Sequence, residues 1–254
     1  MQILGIIPAR YASTRFHAKA LAGIAGKSMI RRVVEQSRKA TALSRVIVAT
    51  DHEAIADHVR SFGGEVVMTS ADHRSGTDRC FEALEQVGGS VDYVINIQGD
   101  EPFIKPEQID LLASALDGKT ALATLVKPIT DPALLTSTST PKVVLNDLSE
   151  ALYFSRQTIP YLRDVPTENW LEHHTFYKHI GIYAYRSDVL GKITRLPPSL
   201  LEKAEALEQL RWLENGYRIK CVVTDMDSYG IDTPEDLERL LERHRADGTL
   251  WPES

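Results

Sequence analysis

Short, nearly unbroken apolar runs alternate with stretches of helical period through the first half of the chain. Ile3–Pro8 is apolar and stops at a proline, and Arg45–Thr50, Glu65–Thr69 and Val91–Ile97 are further runs rich in β-branched residues. Between them, Lys27–Ala40 places Met29, Ile30, Val33, Val34 and Ser37 on one side, with Arg31, Arg32, Glu35 and Arg38 elsewhere. That is the spacing of an amphipathic helix. His52–Phe62 and Thr77–Val87 predict helices that stop at Gly63-Gly64 and Gly88-Gly89, and Pro106–Leu116 predicts a helix opened by proline in its first turn. Strands that are apolar throughout need cover on both faces, and intervening helices supply it. The pattern predicts an α/β fold built on a doubly wound, mostly parallel sheet. In such sheets ligands sit outside the carboxyl ends of the strands, so the residues just after each strand are where chemistry is sought.

The second half is less regular. Lys142–Leu145 and Ala151–Phe154 predict strands flanking a turn at Asn146-Asp147, and Arg156–Asn169 is loop-like, with Pro160 and Pro166. His179–Tyr185 and Arg218–Thr224 predict strands, Glu202–Leu213 a helix, and Pro234–Arg245 the last helix. The expectation is one domain over residues 1–254, with a smaller lobe at about 140–185 formed by the hairpin and the loop after it.

Composition narrows the function classes. The 254 residues are 43% hydrophobic and 25% charged, enough for a sizeable core, and the formal net charge is −6. An acidic balance disfavours a general binder of nucleic acid or of anionic membranes. No apolar run approaches the roughly 20 residues needed to cross a bilayer. Cys80 and Cys221 have no metal-type spacing and are expected to be buried small hydrophobes. With no basic leader ahead of the first strand, the expected location is the cytoplasm.

Three stretches could carry chemistry. After the first strand, Gly5 to Lys19 contains Arg10, Arg15 and Lys19, and no acid occurs before Glu35. Small residues let backbone N–H groups approach an anion, and three cations at a strand's carboxyl end suit a triphosphate whose leaving pyrophosphate gathers charge. After Val91–Ile97, Gly99 permits a sharp turn and Asp100 projects beyond the strand as an oxygen donor for Mg²⁺. In Gly230-Ile-Asp-Thr-Pro-Glu-Asp236, helix capping accounts for Thr233, Pro234, Glu235 and Asp236 but not for Asp232. Asp100 and Asp232 are therefore a candidate metal pair. Gly26-Lys27-Ser28 matches the end of a P-loop, but Leu21 stands where its opening glycine is required, and there is no GxGxxG dinucleotide fingerprint. His173, His174 and His179 lack zinc-site spacing, and Tyr183 and Tyr185 share a strand face that is more often core than site.

Taken together, several segments resemble the CMP-KDO synthetase family, the 3-deoxy-manno-octulosonate cytidylyltransferases. They are Ile6 to Arg15, Val48–Asp51, Thr69–Gly76, Asn96–Pro102, Ala151–Arg156, His179–Tyr183, Leu207–Arg211 and Asp232–Leu237. The resemblance implies a nucleotide-sugar transferase-like fold, a homodimer to which the smaller lobe contributes, and a reaction of CTP with KDO, using Mg²⁺, that serves lipopolysaccharide biosynthesis. It implies that Ala9, Arg10, Arg15 and Lys19 hold the CTP phosphates and that Ala71, Arg74 and Ser75 lie near the cytosine. It further implies that Asp100 and Asp232 bind the metal and, with Lys19, serve catalysis. Gln98, Arg156, His179, Tyr183, Glu208 and Gln209 would face the sugar acid. Where the family usually has Arg-Leu-Pro-Gly-Lys-Pro-Leu, this chain has Arg15-Phe-His-Ala-Lys-Ala-Leu21. Competing readings are a cytidylyltransferase for an amino-KDO or a sialic acid and a non-catalytic nucleotide sensor on the same fold.

Overall fold

Strand β1 (Ile3–Ala9) forms the axis of the first of two compact units, which comprises Met1–Asp110 and the chain from residue 228 onward. A computed structural model describes residues 1–12 and 16–247, with side chains up to residue 242. A short hairpin follows, β2 (Gly23–Ile24) and β3 (Lys27–Ser28), then α1 (Met29–Ser37), β4 (Arg45–Thr50), α2 (Glu53–Ser61), β5 (Glu65–Met68), α3 (Gly76–Val87), β6 (Tyr93–Asn96) and α4 (Pro106–Ala113). β1 pairs in parallel with β4 on one side (Ile6↔Ile47) and with β6 on the other (Leu4↔Val94), and β4 pairs in parallel with β5. The order β6-β1-β4-β5 reverses at β1. The crevice beyond the carboxyl ends of β1 and β6 is therefore the topological switch point, where such folds bind ligands.

The forecast helix faces are the buried ones. Met29, Ile30, Val33, Val34 and Ser37 of α1 are all buried, and each of its large apolar side chains contributes about 1.5–3 kcal/mol by leaving water. α1 starts two residues later than its pattern predicts because the Ser28 hydroxyl accepts the Arg31 N–H and caps it. The preceding Ala25 and Gly26 have φ of 43° and 81°, the two left-handed residues of a tight hairpin turn. The P-loop-like tripeptide is thus a hairpin leading into a cap.

The second unit, Leu111–Asp227, contains β7 (Leu122–Pro128), α5 (Pro132–Thr136), β8 (Lys142–Leu145), β9 (Ala151–Ser155), α6 (Trp170–His173), β10 (Tyr177–Arg186), α7 (Ser187–Ile193), α8 (Leu200–Glu205), α9 (Gln209–Glu214) and β11 (Ile219–Val223). β7 pairs antiparallel with β10 and parallel with β11, and the β8–β9 hairpin joins β10 through Tyr177↔Val143. The stretch 140–185 lies wholly in this unit. The single helix expected over Glu202–Leu213 is in fact two, because Ala206 adopts φ 50° and ends α8. Cys80 and Cys221 are buried and free, as expected.

The α/β class and the largely parallel sheet agree with the sequence pattern. Among the described residues, no helix is long and apolar enough to cross a membrane.

Candidate active site

Two loops that leave adjacent strands build the site. β1 ends in half-buried Pro8 and buried Ala9 with exposed Arg10 just beyond, and beyond β6 run Gln98, Gly99 and Asp100. They lie so close that a Cβ on Gly99 would sit 2.7 Å from the Pro8 carbonyl oxygen, inside any tolerable contact. Glycine at 99 is thus what lets the loop carrying Asp100 lie against the end of β1. The C-terminal helix, Pro234–Asp247, supplies the third wall. Its start is capped reciprocally: Thr233 Oγ1 accepts from the Asp236 N–H (3.2 Å) and Asp236 Oδ2 accepts from the Thr233 N–H (3.0 Å).

Apolar packing brings the two distant acids together. Phe103 and Ile231 share a buried cluster with Ile24, Met29 and Leu240, and the Ile231 N–H donates to the Asp100 carbonyl at 3.0 Å. Asp232 is the next residue. At the focus stands Lys19, whose Nζ lies 2.6 Å from Asp100 Oδ2, 3.4 Å from Asp232 Oδ1 and 2.9 Å from the Ile231 carbonyl oxygen. The carboxylates do meet around one cation, and that cation is the lysine ammonium. The cleft they border has a volume of ≈ 270 Å³ and is lined by Pro8, Ala9, Arg10, Lys19, Ala20, His73, Arg74, Ser75, Gly76, Arg79, Gln98, Gly99, Asp100 and Asp232.

Lys19 is delivered by a turn in which Ala18 adopts φ 50° and its carbonyl accepts from Leu21 N–H at 2.8 Å. The family pattern has glycine here, and only glycine enters this region freely. Ala18→Gly is expected to stabilise the protein by about 1 kcal/mol, seen as a higher urea midpoint, with activity retained. No gain in midpoint would mean that the left-handed turn is not strained.

The fourth wall is the start of α3. Ser75 caps it by accepting the Asp78 N–H at 3.1 Å, so the positive end of a 12-residue helix faces the cleft. One turn on, Arg79 is buried, donating to Asp51 Oδ2 (2.9 Å) and Thr69 Oγ1 (2.6 Å). Asp51 also accepts the Tyr11 N–H at 3.1 Å, and the Tyr11 ring stacks on His52 at 3.8 Å. This pair fixes the loop after β1 to the end of β4. Arg79, Asp51 and His73 join the site beyond the residues expected from the sequence. Asp51 follows a strand, and Arg79 lies four residues from Ser75 on the same helix face; those were the available signals. Beside Asp100, buried Glu101 has its carboxyl pushed up to about 7 by burial, against a hydrogen bond from Ser228.

The cleft thus unites Ala9, Arg10, Lys19, Arg74, Ser75, Gln98, Asp100 and Asp232. Ala71 is exposed in the preceding turn and is not part of the lining, and Arg15 lies outside the described residues.

The remaining sugar-facing candidates belong to the second unit. A bulge in β10 separates Ile180 from Tyr183 in its pairing with β7, and bulges re-aim neighbouring side chains. The Thr124 hydroxyl fills it, 2.7 Å from the Ile182 carbonyl oxygen and 3.1 Å from His179 Nε2. The His179 and Tyr183 rings then lie 5.2 Å apart, and Tyr183 packs edge-on against Trp212 of α9. The Tyr183 hydroxyl and Gln209 Nε2 are buried without a hydrogen-bond partner among the described residues. Burial, with the nearby Glu208 carboxylate contributing, drives the Tyr183 phenol well above its usual range. Arg156 is engaged by the backbone: its guanidinium donates to the carbonyls of Glu205 (2.6 Å), Thr138 (3.0 Å) and Ala206 (3.2 Å).

Burial lowers the His179 pKa to about 4, so the folded protein holds it neutral. Unfolding returns it to about 6.5. Its contribution to stability is therefore complete above about pH 6.5 and is lost as pH falls towards 4. His179→Gln is expected to reduce the stability lost between pH 7 and 4.5 by about 2 kcal/mol, measured by denaturant unfolding at both pH values. Parallel losses in both proteins would refute this.

The cytidylyltransferase family matches residues 4–219, which include Lys19, Asp100 and the start of α3, and this makes the chain a nucleotidyltransferase. The chain belongs, within that class, to the 3-deoxy-manno-octulosonate cytidylyltransferase family. It is 57% identical to the 3-deoxy-manno-octulosonate cytidylyltransferase of Bacteroides thetaiotaomicron, covering 95% of this chain and 98% of that protein. It is 56% identical to that of Parabacteroides distasonis, over 95% and 97%. Among solved structures, a CMP:2-keto-3-deoxy-manno-octonic acid synthetase complexed with CTP superposes with a TM-score of 0.89 at 40% identity, covering 97% of this chain and 100% of that one.

Proposed function

We propose that this protein transfers the cytidylyl group of CTP to the anomeric hydroxyl of 3-deoxy-manno-octulosonate, giving CMP-KDO and pyrophosphate for lipopolysaccharide biosynthesis. The observation that carries the reading is the convergence of Asp100, Asp232 and Lys19 at the β1/β6 switch point. The similarity to cytidylyltransferases from end to end supports the choice of nucleotide and sugar acid.

The residues present fit Mg²⁺. Asp100 and Asp232 offer oxygen atoms to one common point, and Mg²⁺ is typically bound by one or two carboxylates plus substrate phosphates. When bound there, Mg²⁺ would supply Lewis-acid polarisation of a phosphoryl oxygen.

The protein's own part is positioning and charge. Ala9 at the end of β1, Arg10 just beyond it, Arg15 and Lys19 would receive the phosphates. Lys19, drawn from the carboxylates, would meet the growing charge on the departing pyrophosphate. Arg74 and Ser75 of the cleft lining, with Ala71 in the turn before them, would border the cytosine. Arg156, His179, Tyr183, Glu208 and Gln209 of the second unit would face the sugar acid, and Gln98, also expected to face it, lines the cleft of the first unit. The unpartnered Tyr183 hydroxyl and Gln209 amide are buried groups that await an acceptor or donor. On the same reading the enzyme works in the cytoplasm as a homodimer, and exposed Leu148, Leu152, Leu200 and Val223 of the second unit offer apolar surface for a second copy. Pyrophosphate release across a matrix of nucleotides and sugar acids tests the proposal. Turnover with CTP and KDO alone supports it, and binding of CTP without turnover of any pair would favour a sensor.

A further inference from the structure

Lys142, on β8, is fully buried at 0% exposure. Its ammonium donates to three backbone carbonyls: Ser137 (2.8 Å), Thr140 (2.7 Å) and Arg156 (2.7 Å). An ammonium has three N–H groups, so none is left for a ligand. A buried charge is costly and persists where it satisfies groups that would otherwise be orphaned. Here those groups are carbonyls turned inward by the loop before β8 and by the end of β9.

The same end of β9 is held from the other side by Glu205, the last residue of α8. Its Oε1 accepts from Ser155 Oγ (2.7 Å) and its Oε2 from the Arg156 N–H (2.9 Å). Arg156 returns the contact through the Glu205 and Ala206 carbonyls. Two cations and one carboxylate thus tie residues 137–140, 155–156 and 205–206 into one knot. The knot closes on the left-handed residue Ala206 that separates α8 from α9. Glu208 and Gln209 follow within three residues, and Gln209 is 4% exposed with its amide nitrogen unpartnered. Arg211 of α9 also spans the corner, donating to Glu202 Oε1 (2.8 Å) and Glu208 Oε1 (3.3 Å), while Lys142 and Glu205 tie it to the ends of β8 and β9.

We propose that Lys142 and Glu205 are positioning residues for the sugar acid: through Arg156 and Ala206 they set the α8–α9 corner that presents Glu208 and Gln209. This rests on the reading of Glu208 and Gln209 as sugar-facing. The three N–H groups of Lys142 and both carboxylate oxygens of Glu205 are taken up by protein groups, and neither residue lines the cleft of the first unit.

The test uses the full chain and Glu205→Gln, whose amide would turn a donor towards either Arg156 N–H or Ser155. The KM for KDO is expected to rise about tenfold, the effect of losing one hydrogen bond to a charged group, while the KM for CTP stays within about twofold. Lys142→Met is expected to raise the KM for KDO further, and Glu205→Gln carries the test should that variant not fold. An unchanged KM for KDO, or equal rises for both substrates, overturns the proposal. Glu208→Gln separates the two levels. If it raises the KM for KDO and Glu205→Gln does not, only the positioning role fails; if neither does, the sugar-facing reading of the corner fails with it.

Discussion

Replacing Asp100 with asparagine is expected to lower kcat by about three orders of magnitude, a loss of roughly 4 kcal/mol of transition-state stabilisation. The substitution keeps the shape of the side chain and removes its charge. One of two carboxylates is lost from a point where both face a single cation, and a lone Asp232 is a poor holder of Mg²⁺. The fold should not suffer. The Asp100 side chain is 32% exposed, so its pairing with Lys19 is partly screened and contributes little to stability. The tie between the two loops is a backbone bond, Ile231 N–H to Asp100 carbonyl, which the variant retains. Turnover at saturating Mg²⁺ and a thermal midpoint measured together decide the matter. Near-normal turnover would remove the metal assignment, and a collapse of the midpoint would make the lost activity uninformative.

The parts of the fold that were legible were those whose burial is written in the sequence. β1, β4 and α1 are buried on the residues that their patterns predict because the parallel sheet forces unbroken apolar strands and a one-sided helix. β7 gave no such signal: Leu122-Ala-Thr-Leu-Val suits a buried strand or a helix segment equally, and alanine has little preference for sheet. The break at Ala206 was hidden for a related reason, since a non-glycine residue in left-handed backbone leaves no mark in composition. The site shows the same division. Residues just beyond β1 and β6 were legible as chemistry because the topology of such sheets places ligands there. Asp232 stood out because capping explained its neighbours and not it. What the sequence could not tell was that Lys19, expected among the phosphate-binding cations, rests between the two carboxylates. That arrangement depends on the packing of Phe103 against Ile231 and on the turn at Ala18, neither of which has a local signature.

Lys19→Met is expected to separate two effects that ordinarily travel together. Turnover should fall about a hundredfold or more, the usual scale for removing a charge that stabilises a leaving anion, because Lys19 is the ammonium held against both Asp100 and Asp232. Divalent affinity in the absence of nucleotide should move the other way, rising about tenfold, a coupling of roughly 1.4 kcal/mol. In the native protein an arriving Mn²⁺ or Mg²⁺ must displace an ammonium 2.6 Å from Asp100. In the variant the two carboxylates lose that ammonium, and a divalent ion replaces its positive charge directly. Linkage then requires that nucleotide, by drawing Lys19 towards its phosphates, strengthens metal binding in the native protein more than in the variant. Mn²⁺ titration followed by electron paramagnetic resonance, with and without CTP, reads both terms. Unchanged Mn²⁺ affinity without CTP would show that the lysine does not compete for the site, and a weaker one would show that it helps to build it.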